Sequence, residues 1–523
     1  MNINKFALLS NSKLCFLFLI MQIKVLLCGT HPYQFNGYSK VVYELSKELC
    51  KHDDIKLYIY GFQNFYNEPD HIKERQLPEN VEIYDAFAKE EPKNKGFGEK
   101  EIVQYVNKVS PDIIIIYNDL IVIYTLIKAL LEIPERTFKI VPYIDLVYKN
   151  EKRALLKYIN DNIDGCIAFT EYWKQQLIID NFDKPLWTLE HAFNRNMYYP
   201  IPKKVARKYF EISNDDFIIM NLNRNQPRKR WDTCIMAYVK FISKHMDDKI
   251  KLMVLTSVTG AWEMTELMLN EAKKYSIDIN DLKKHFVFIQ NPQKLSDKEI
   301  NIMYNVADVG WNTCDGEGFG LCNFEQAAVG VPQVIPHIGG FKDFFTTENS
   351  IPIEPKFSFY NDSSKDVVGG ELELCDINDY VAALEKYYTN RELLAIHGKQ
   401  GRKDITEKYI WKEKADHLRN IVVEATKDLF PDESPSKLID GINALVTVAD
   451  ADEGTDNDLD IDIDVLIEKK LSVNNELKIT NLKKVVADDV NVSVKGESDV
   501  KIEKLSKDEL KILQEKINRL LST

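Results

Sequence analysis

From Ile23 onward, short apolar runs alternate with stretches whose apolar residues recur at helical spacing. The runs are Ile23 to Leu27, Ile55 to Tyr60, Ile113 to Tyr117, Phe138 to Ile144 and Cys166 to Phe169, with a helix predicted from about Ser39 to Lys51. Runs that are apolar along most of their length, and are separated by helices, indicate a parallel sheet covered on both faces. After Tyr199-Pro-Ile-Pro202 the alternation restarts with Phe217 to Leu222, Lys251 to Leu255, Phe286 to Ile289, Val309 to Trp311 and Val331 to Ile335. The pattern predicts an α/β chain of two Rossmann-like, doubly wound halves. Helical text then runs from about Ile377 to Ala425, with Trp411 inside it and Pro431 as its stop.

The two ends break this pattern. Leu14 to Met21 is an eight-residue apolar run after Lys13, the length of a signal-peptide core. No small-residue cleavage site precedes Ile23, and cleavage within Ile23 to Leu27 would destroy the first strand. Residues 1–21 therefore read as an appendage, with Met21 as an alternative start, on a cytoplasmic protein. No run reaches the roughly 20 apolar residues of a membrane span, and a peripheral membrane contact stays open. Beyond Phe430 aromatic residues cease, and Asp450 to Asp464 carries eight acidic residues and no Lys or Arg. That composition predicts a flexible acidic tail, available to a partner. Its aspartates do not match a calcium loop, which needs glycine at the sixth position. Ser506-Lys-Asp-Glu509 is a capping box before a helical face of Leu510, Leu513, Ile517 and Leu521. The expected divisions are 1–21, 22–200, 201–410, a crossover helix at 411–430 and the tail 431–523.

Composition narrows the function. The 523 residues are 45% hydrophobic, enough for a core in each half, and 68 basic against 81 acidic residues give a net charge of -13. That balance argues against a general nucleic-acid binder but leaves room for a local basic pocket. Eight cysteines without a Cys-x-x-Cys pair suggest a reducing compartment.

The most informative segment is Glu317-Gly-Phe-Gly-Leu-Cys-Asn-Phe-Glu325, two glutamates eight apart around a glycine turn. The turn at Gly318 and Gly320 follows a strand and opens a helix from about Leu321 to Val329, so backbone N–H groups and a positive helix end face an anion. Carboxylates so placed suit the vicinal hydroxyls of a sugar and a ribose, with phosphates between them. A second glycine loop, His337-Ile-Gly-Gly-Phe341, follows the next strand, as at the ligand crevice of an open α/β sheet. The loop after the first strand of the second half carries Arg224, Arg228, Lys229 and Arg230. Arg224 and Lys229 are placed to neutralise a pyrophosphate, and Arg228 is expected to face solvent.

These segments resemble the group 1 retaining glycosyltransferases of the GT-B fold, often called family four, over roughly Ile23 to Ala425. The block from Ala307 to Phe345 resembles the family's donor site. Asn36-Gly37 through Leu45 resembles its first glycine loop and helix. Ala168-Phe-Thr-Glu171, Glu190 to Asn194 and Trp411 resemble the close of the first domain and the helix that returns to it. The resemblance implies two Rossmann-like domains facing a central cleft, and transfer of a hexosyl unit from a nucleotide-sugar to a glycan, lipid or protein acceptor with retention. It implies no metal and no other cofactor. Glu325 would hold the ribose, Glu317 the transferred sugar, and Arg224 with Lys229 the leaving diphosphate, so that Glu317, Arg224 and Lys229 are the catalytic candidates. Gly37, Gly318, Phe319, Gly320 and Leu321 complete the donor site. Asp145 and His191 are the acceptor-side candidates, a core role being the competing reading for His191.

Three departures from the family stand out. Arg230 replaces the glycine that usually follows the lysine, Gln326 replaces an alanine, and Pro142-Tyr-Ile-Asp145 lacks the family's histidine. A dehydrogenase is disfavoured because Gly316-x-Gly318-x-Gly320 is not the dinucleotide fingerprint. A phosphorylase would need a cofactor lysine that is not found. The alternative from another class is a degenerate GT-B protein serving as a binding or scaffold module.

Overall fold

The Ile113–Asp119 strand shows why the apolar runs become central strands: Ile113 to Tyr117 are all buried. Such a strand has no face that tolerates water, so helices must cover both sides of its sheet. The computed structural model describes residues 22–65, 75–90, 96–290, 295–361 and 369–430. The N-terminal appendage, the acidic tail and the capping box at Ser506 lie outside them.

The first half holds seven strands: β1 (Ile23–Thr30), β2 (Ile55–Phe62), β3 (Glu82–Asp85), β4 (Ile113–Asp119), β5 (Lys139–Asp145), β6 (Cys166–Ala168) and β7 (Leu186–Thr188). They form one parallel sheet in the order β3-β2-β1-β4-β5-β6-β7. The second half repeats the plan with β8 (Phe217–Leu222), β9 (Ile250–Leu255), β10 (Phe286–Ile289), β11 (Val309–Trp311), β12 (Gln333–Pro336) and β13 (Ser350–Ile353), ordered β10-β9-β8-β11-β12-β13. A two-stranded antiparallel hairpin, β14 (Phe357–Asn361) and β15 (Gly370–Leu374), follows. Each large sheet reverses its strand order beside its first strand, between β1 and β4 and between β8 and β11. Ligands of doubly wound sheets gather beyond the strand ends at such reversals.

Local chemistry sets the helix starts. The Gly37–Leu49 helix opens on a capping box in which Asn36 accepts from Ser39 N and Ser39 Oγ accepts from Asn36 N. The helical text after Ile377 divides into Ile377–Thr389, Arg391–Lys408 and Trp411–Thr426. The last of these packs on the Gly37–Leu49 helix, with Lys414 on Glu190 and Arg419 on Asp54. Residues Ile23–Thr426 make one compact body. No helix among the described residues is long and apolar enough to cross a membrane.

Candidate nucleotide-sugar site

Two loops meet beyond the strand reversal of the second sheet. The loop after β8 carries a 3-10 turn at Pro227–Lys229, with Pro227 supplying a preset φ. Arg230 follows in the left-handed region at φ 48° and leads directly into the Trp231–Ile242 helix. The loop after β11 runs to Gly320, also left-handed at φ 84°, where the Leu321–Ala328 helix begins without a side-chain cap. Asp315 N donates to Arg228 O at 3.0 Å, and Thr313 Oγ1 donates to Arg230 O at 3.2 Å, so the loops hold each other.

Glu317 is buried where they join. Lys229 Nζ bonds its Oε2, and Arg228 Nη1 lies 3.3 Å from its Oε1 and 2.9 Å from Gly316 O. Burial works against ionisation, but Lys229 and Arg228 outweigh it and hold the carboxyl down to about 2. Arg228 is thus a partner of Glu317, which corrects the expectation that it faces solvent. Its guanidinium is the anchor of a carboxylate on the neighbouring loop. Arg224 keeps contact with solvent and has no carboxylate within ion-pair distance among the described residues. Partial desolvation by the surrounding side chains and the nearby Arg228 charge lower its pKa, while Tyr38, Glu317 and Asp145 pull the other way.

The first half closes on this turn from the ends of β4 and β5. Asp145, the last residue of β5, accepts from Tyr38 Oη at 2.5 Å through Oδ2, while its buried Oδ1 has no partner. A Cβ on Gly318 would lie 1.8 Å from that oxygen, so only glycine admits Asp145 here. Burial raises the Asp145 carboxyl to about 6, the Tyr38 bond and Arg228 offsetting part of the rise. Asp119, its register partner on β4, caps the Leu120–Leu130 helix through Ile121 N and Val122 N, both at 3.1 Å. Trp173 Nε1 donates to Gly318 O at 2.8 Å, and Gly340 N to Glu317 O at 3.2 Å, fixing the turn from behind.

Glu325 lies about one turn into the Leu321–Ala328 helix and is buried. Lys40 of the Gly37–Leu49 helix reaches both its oxygens, at 2.7 and 2.9 Å, and Tyr304 Oη donates to Oε2 at 2.9 Å. A Cβ on Gly37 would sit 3.3 Å from Leu321 Cδ1, so those two positions also face each other across the halves. Beside them, Arg75 pairs with Asp297 through Nε at 2.9 Å and Nη2 at 3.1 Å.

Phe319 and His191 lie apart from these charges, in an aromatic cluster with ring centroids 4.5 Å apart. Tyr143 Oη donates to Leu189 O at 2.5 Å, so His191 Nδ1–H donates to Tyr143 Oη at 2.8 Å, and Nε2 accepts from Tyr117 Oη at 3.3 Å. Burial pulls the imidazole down to about 3, so it is neutral. The structure thus brings together Glu317, Lys229, Arg224, Gly318, Gly320 and Asp145, and also joins Glu325, Gly37 and Leu321. It sets Phe319 and His191 in the core. Sequence reading missed Tyr38, Lys40, Arg75, Asp119, Trp173, Asp297 and Tyr304. For Lys40 a signal existed: it lies one turn along the helix from the Gly37 loop. Among the described residues no group of three or more His, Cys, Asp or Glu is arranged to hold a metal ion.

Neither a protein-family model nor a curated protein sequence matches the chain. Solved structures do resemble it. Sucrose-phosphate synthase from Thermosynechococcus elongatus superposes with a TM-score of 0.59 at 14% identity, covering 78% of this chain and 100% of that one. Anabaena HepE in complex with UDP and glucose gives 0.57 at 12% identity, over 77% of this chain and 100% of that one. A variant of S. aureus TarM, in complex with Fondaparinux, alpha-GlcNAc-glycerol and UDP, gives 0.55 at 13% identity, over 77% and 100%. With its two parallel sheets and these likenesses, the chain has the fold of the GT-B glycosyltransferases.

Proposed function

We propose that this protein transfers a hexosyl unit from a nucleotide-sugar to a glycan, lipid or protein acceptor, with retention and without a metal ion. The observation that carries the reading is the Glu317 turn, with Arg228 and Lys229 on its carboxylate and, among the described residues, no carboxylate paired with Arg224 beside it. A buried, ionised carboxylate suits sugar hydroxyls, and a free guanidinium suits the diphosphate that departs. The uncapped start of the Leu321–Ala328 helix adds unsatisfied N–H groups where that charge grows. In the reaction the bond from the anomeric carbon to phosphate oxygen breaks. The acceptor oxygen bonds that carbon on the same face, and its proton leaves with the departing phosphate. The Arg224 guanidinium and the helix N–H groups that face the diphosphate do the work a metal would otherwise do. Similar structures that hold UDP with glucose, or UDP with a GlcNAc-glycerol, support a nucleotide-sugar as donor. A cytoplasmic setting belongs to the same reading, in keeping with seven free thiols among the described residues.

The alternative is a degenerate GT-B protein that serves as a binding or scaffold module. Incubation of the full chain with a panel of nucleotide-sugars separates the two. Release of free nucleotide, dependent on an added acceptor and undiminished by EDTA, supports transfer. Donor binding without release supports the binding module, and loss of release in EDTA overturns metal independence.

A further inference from the structure

We propose that Lys40 is a positioning residue for the nucleotide: by bonding both oxygens of Glu325 from the opposite half, it completes the nucleotide-binding carboxylate. The proposal rests on Glu325 as the nucleotide ligand. Lys40 stands one turn into the Gly37–Leu49 helix of the first half, and Glu325 on the Leu321–Ala328 helix of the second. The ammonium lies 2.7 and 2.9 Å from the two carboxylate oxygens, 4.0 Å from Asp297 Oδ1 and 4.5 Å from the centroid of the Tyr198 ring. Asp297 is itself neutralised by Arg75, so the Lys40 charge is directed at Glu325.

The need for that charge follows from burial. Burial raises the Glu325 carboxyl and Asp297 raises it further, while Lys40 and the Tyr304 hydroxyl pull it down. Tyr198 from the segment between the halves, Cys322 on the same helix and Arg75 beside Asp297 complete the surrounding titratable groups. Without Lys40 the carboxyl retains its proton to higher pH. It then loses the charge-assisted acceptor strength that ribose hydroxyls use. Lys40 therefore acts through Glu325.

The test is nucleotide binding by calorimetry on the full chain at pH 6.0, 7.5 and 8.5, with UDP, GDP, ADP and dTDP as probes. Lys40→Met should weaken the best-bound probe roughly tenfold or more at pH 6.0, with the gap narrowing as the pH rises and Glu325 ionises. Lys40→Arg should restore affinity at every pH. Lys40→Gln, which keeps a hydrogen bond across the halves but no charge, should share the low-pH weakening and guards against a misfolded Met variant. Adding Glu325→Gln to Lys40→Met should flatten the pH dependence. In turnover, Lys40→Met should raise the donor KM more than it lowers kcat. Unchanged binding in Lys40→Met, or weakening by one factor at all three pH values, overturns the proposal while nucleotide recognition stands. Failure of wild type to bind any of the four probes overturns the nucleotide reading itself, and this proposal with it.

Discussion

Arg228 and Glu317 are joined at 3.3 Å, Nη1 to Oε1, on the carboxylate oxygen that Lys229 leaves free. Two cations on adjacent positions of one 3-10 turn thus hold a single buried anion. That relationship decides which members of the basic loop matter.

Arg228→Ala should therefore be as damaging as Lys229→Ala. Either change removes one of the two charges that keep Glu317 ionised and aimed at the transferred sugar. The loss of a well-aimed donor lowers kcat by about 10²-fold, with a smaller change in donor KM. The double variant should lose less than the product of the single losses, because both residues serve one carboxylate. Steady-state kinetics on the three variants checks this, and wild-type turnover in Arg228→Ala would remove that residue from the site.

Asp145→Asn should stabilise the protein at neutral pH. The Asp145 carboxyl is raised to about 6, against about 3.9 for an ordinary aspartate. Between those values the folded chain keeps a proton that the unfolded chain has released, so stability falls as pH rises through the window and stays low above it. The ceiling of this effect is about 3 kcal/mol. Asparagine removes the charge, so its melting temperature should exceed wild type at pH 7.5 and approach it at pH 4. Equal melting curves at pH 7.5 would show that Asp145 ionises there without penalty.

Arg75→Met should be strongly destabilising. Arg75 is almost fully buried and bonds Asp297 twice, with Pro32 O, Gln34 O and Ser39 Oγ as further acceptors. Removing it leaves Asp297 with Lys40 at 4.0 Å and the Tyr198 hydroxyl, and stranding one member of a buried pair costs about 3–5 kcal/mol. Arg75→Met combined with Asp297→Leu should recover much of that loss, since neither member of the pair is left buried without the other. Denaturant unfolding of the full chain measures both. A double variant no better than the single would show that the polar contacts of Arg75, rather than its charge pair, hold this region.

The sequence made the two alternating strand-helix halves and the Glu317 turn legible, because both rest on local signals: runs of buried aliphatics and glycines between strand and helix. Partly exposed strands were not: β3, β7 and β13 lie at sheet edges, and β14 and β15 pair only with each other, so none carries a continuous buried apolar run, unlike the equally short but fully buried β6 and β11. Boundaries also shifted: the strand expected at Val331 to Ile335 runs Gln333–Pro336, and the one expected at Phe138 to Ile144 runs Lys139–Asp145. Arg230 shows a departure becoming intelligible only in three dimensions. Its backbone is left-handed, which is why glycine would be favoured there, and its pairing with Asp232 at 2.6 Å and stacking on Trp262 at 5.5 Å offset the strain. The partners of Glu325 and Asp145 were invisible because they arrive from 285 and 107 residues away, and no local pattern encodes such pairing.

His191→Phe should separate a core role from an acceptor role. The imidazole is buried between Tyr143 and Tyr117 and stacks near Phe319, with both nitrogens engaged. Phenylalanine keeps the packing but leaves the Tyr117 hydroxyl without its acceptor, a loss of about 1–3 kcal/mol at pH 7.5. Burial holds the His191 pKa down to about 3, whereas the unfolded chain takes up a proton near 6.5. Its contribution is therefore fully present above pH 6.5 and is lost as pH falls toward 3, while the variant has no such loss. The difference in melting temperature should shrink between pH 7.5 and pH 5, and donor affinity at pH 7.5 should be unchanged. A variant that melts like wild type but has lost turnover would instead put His191 to work on the acceptor, by way of a conformation in which the ring leaves its two tyrosines.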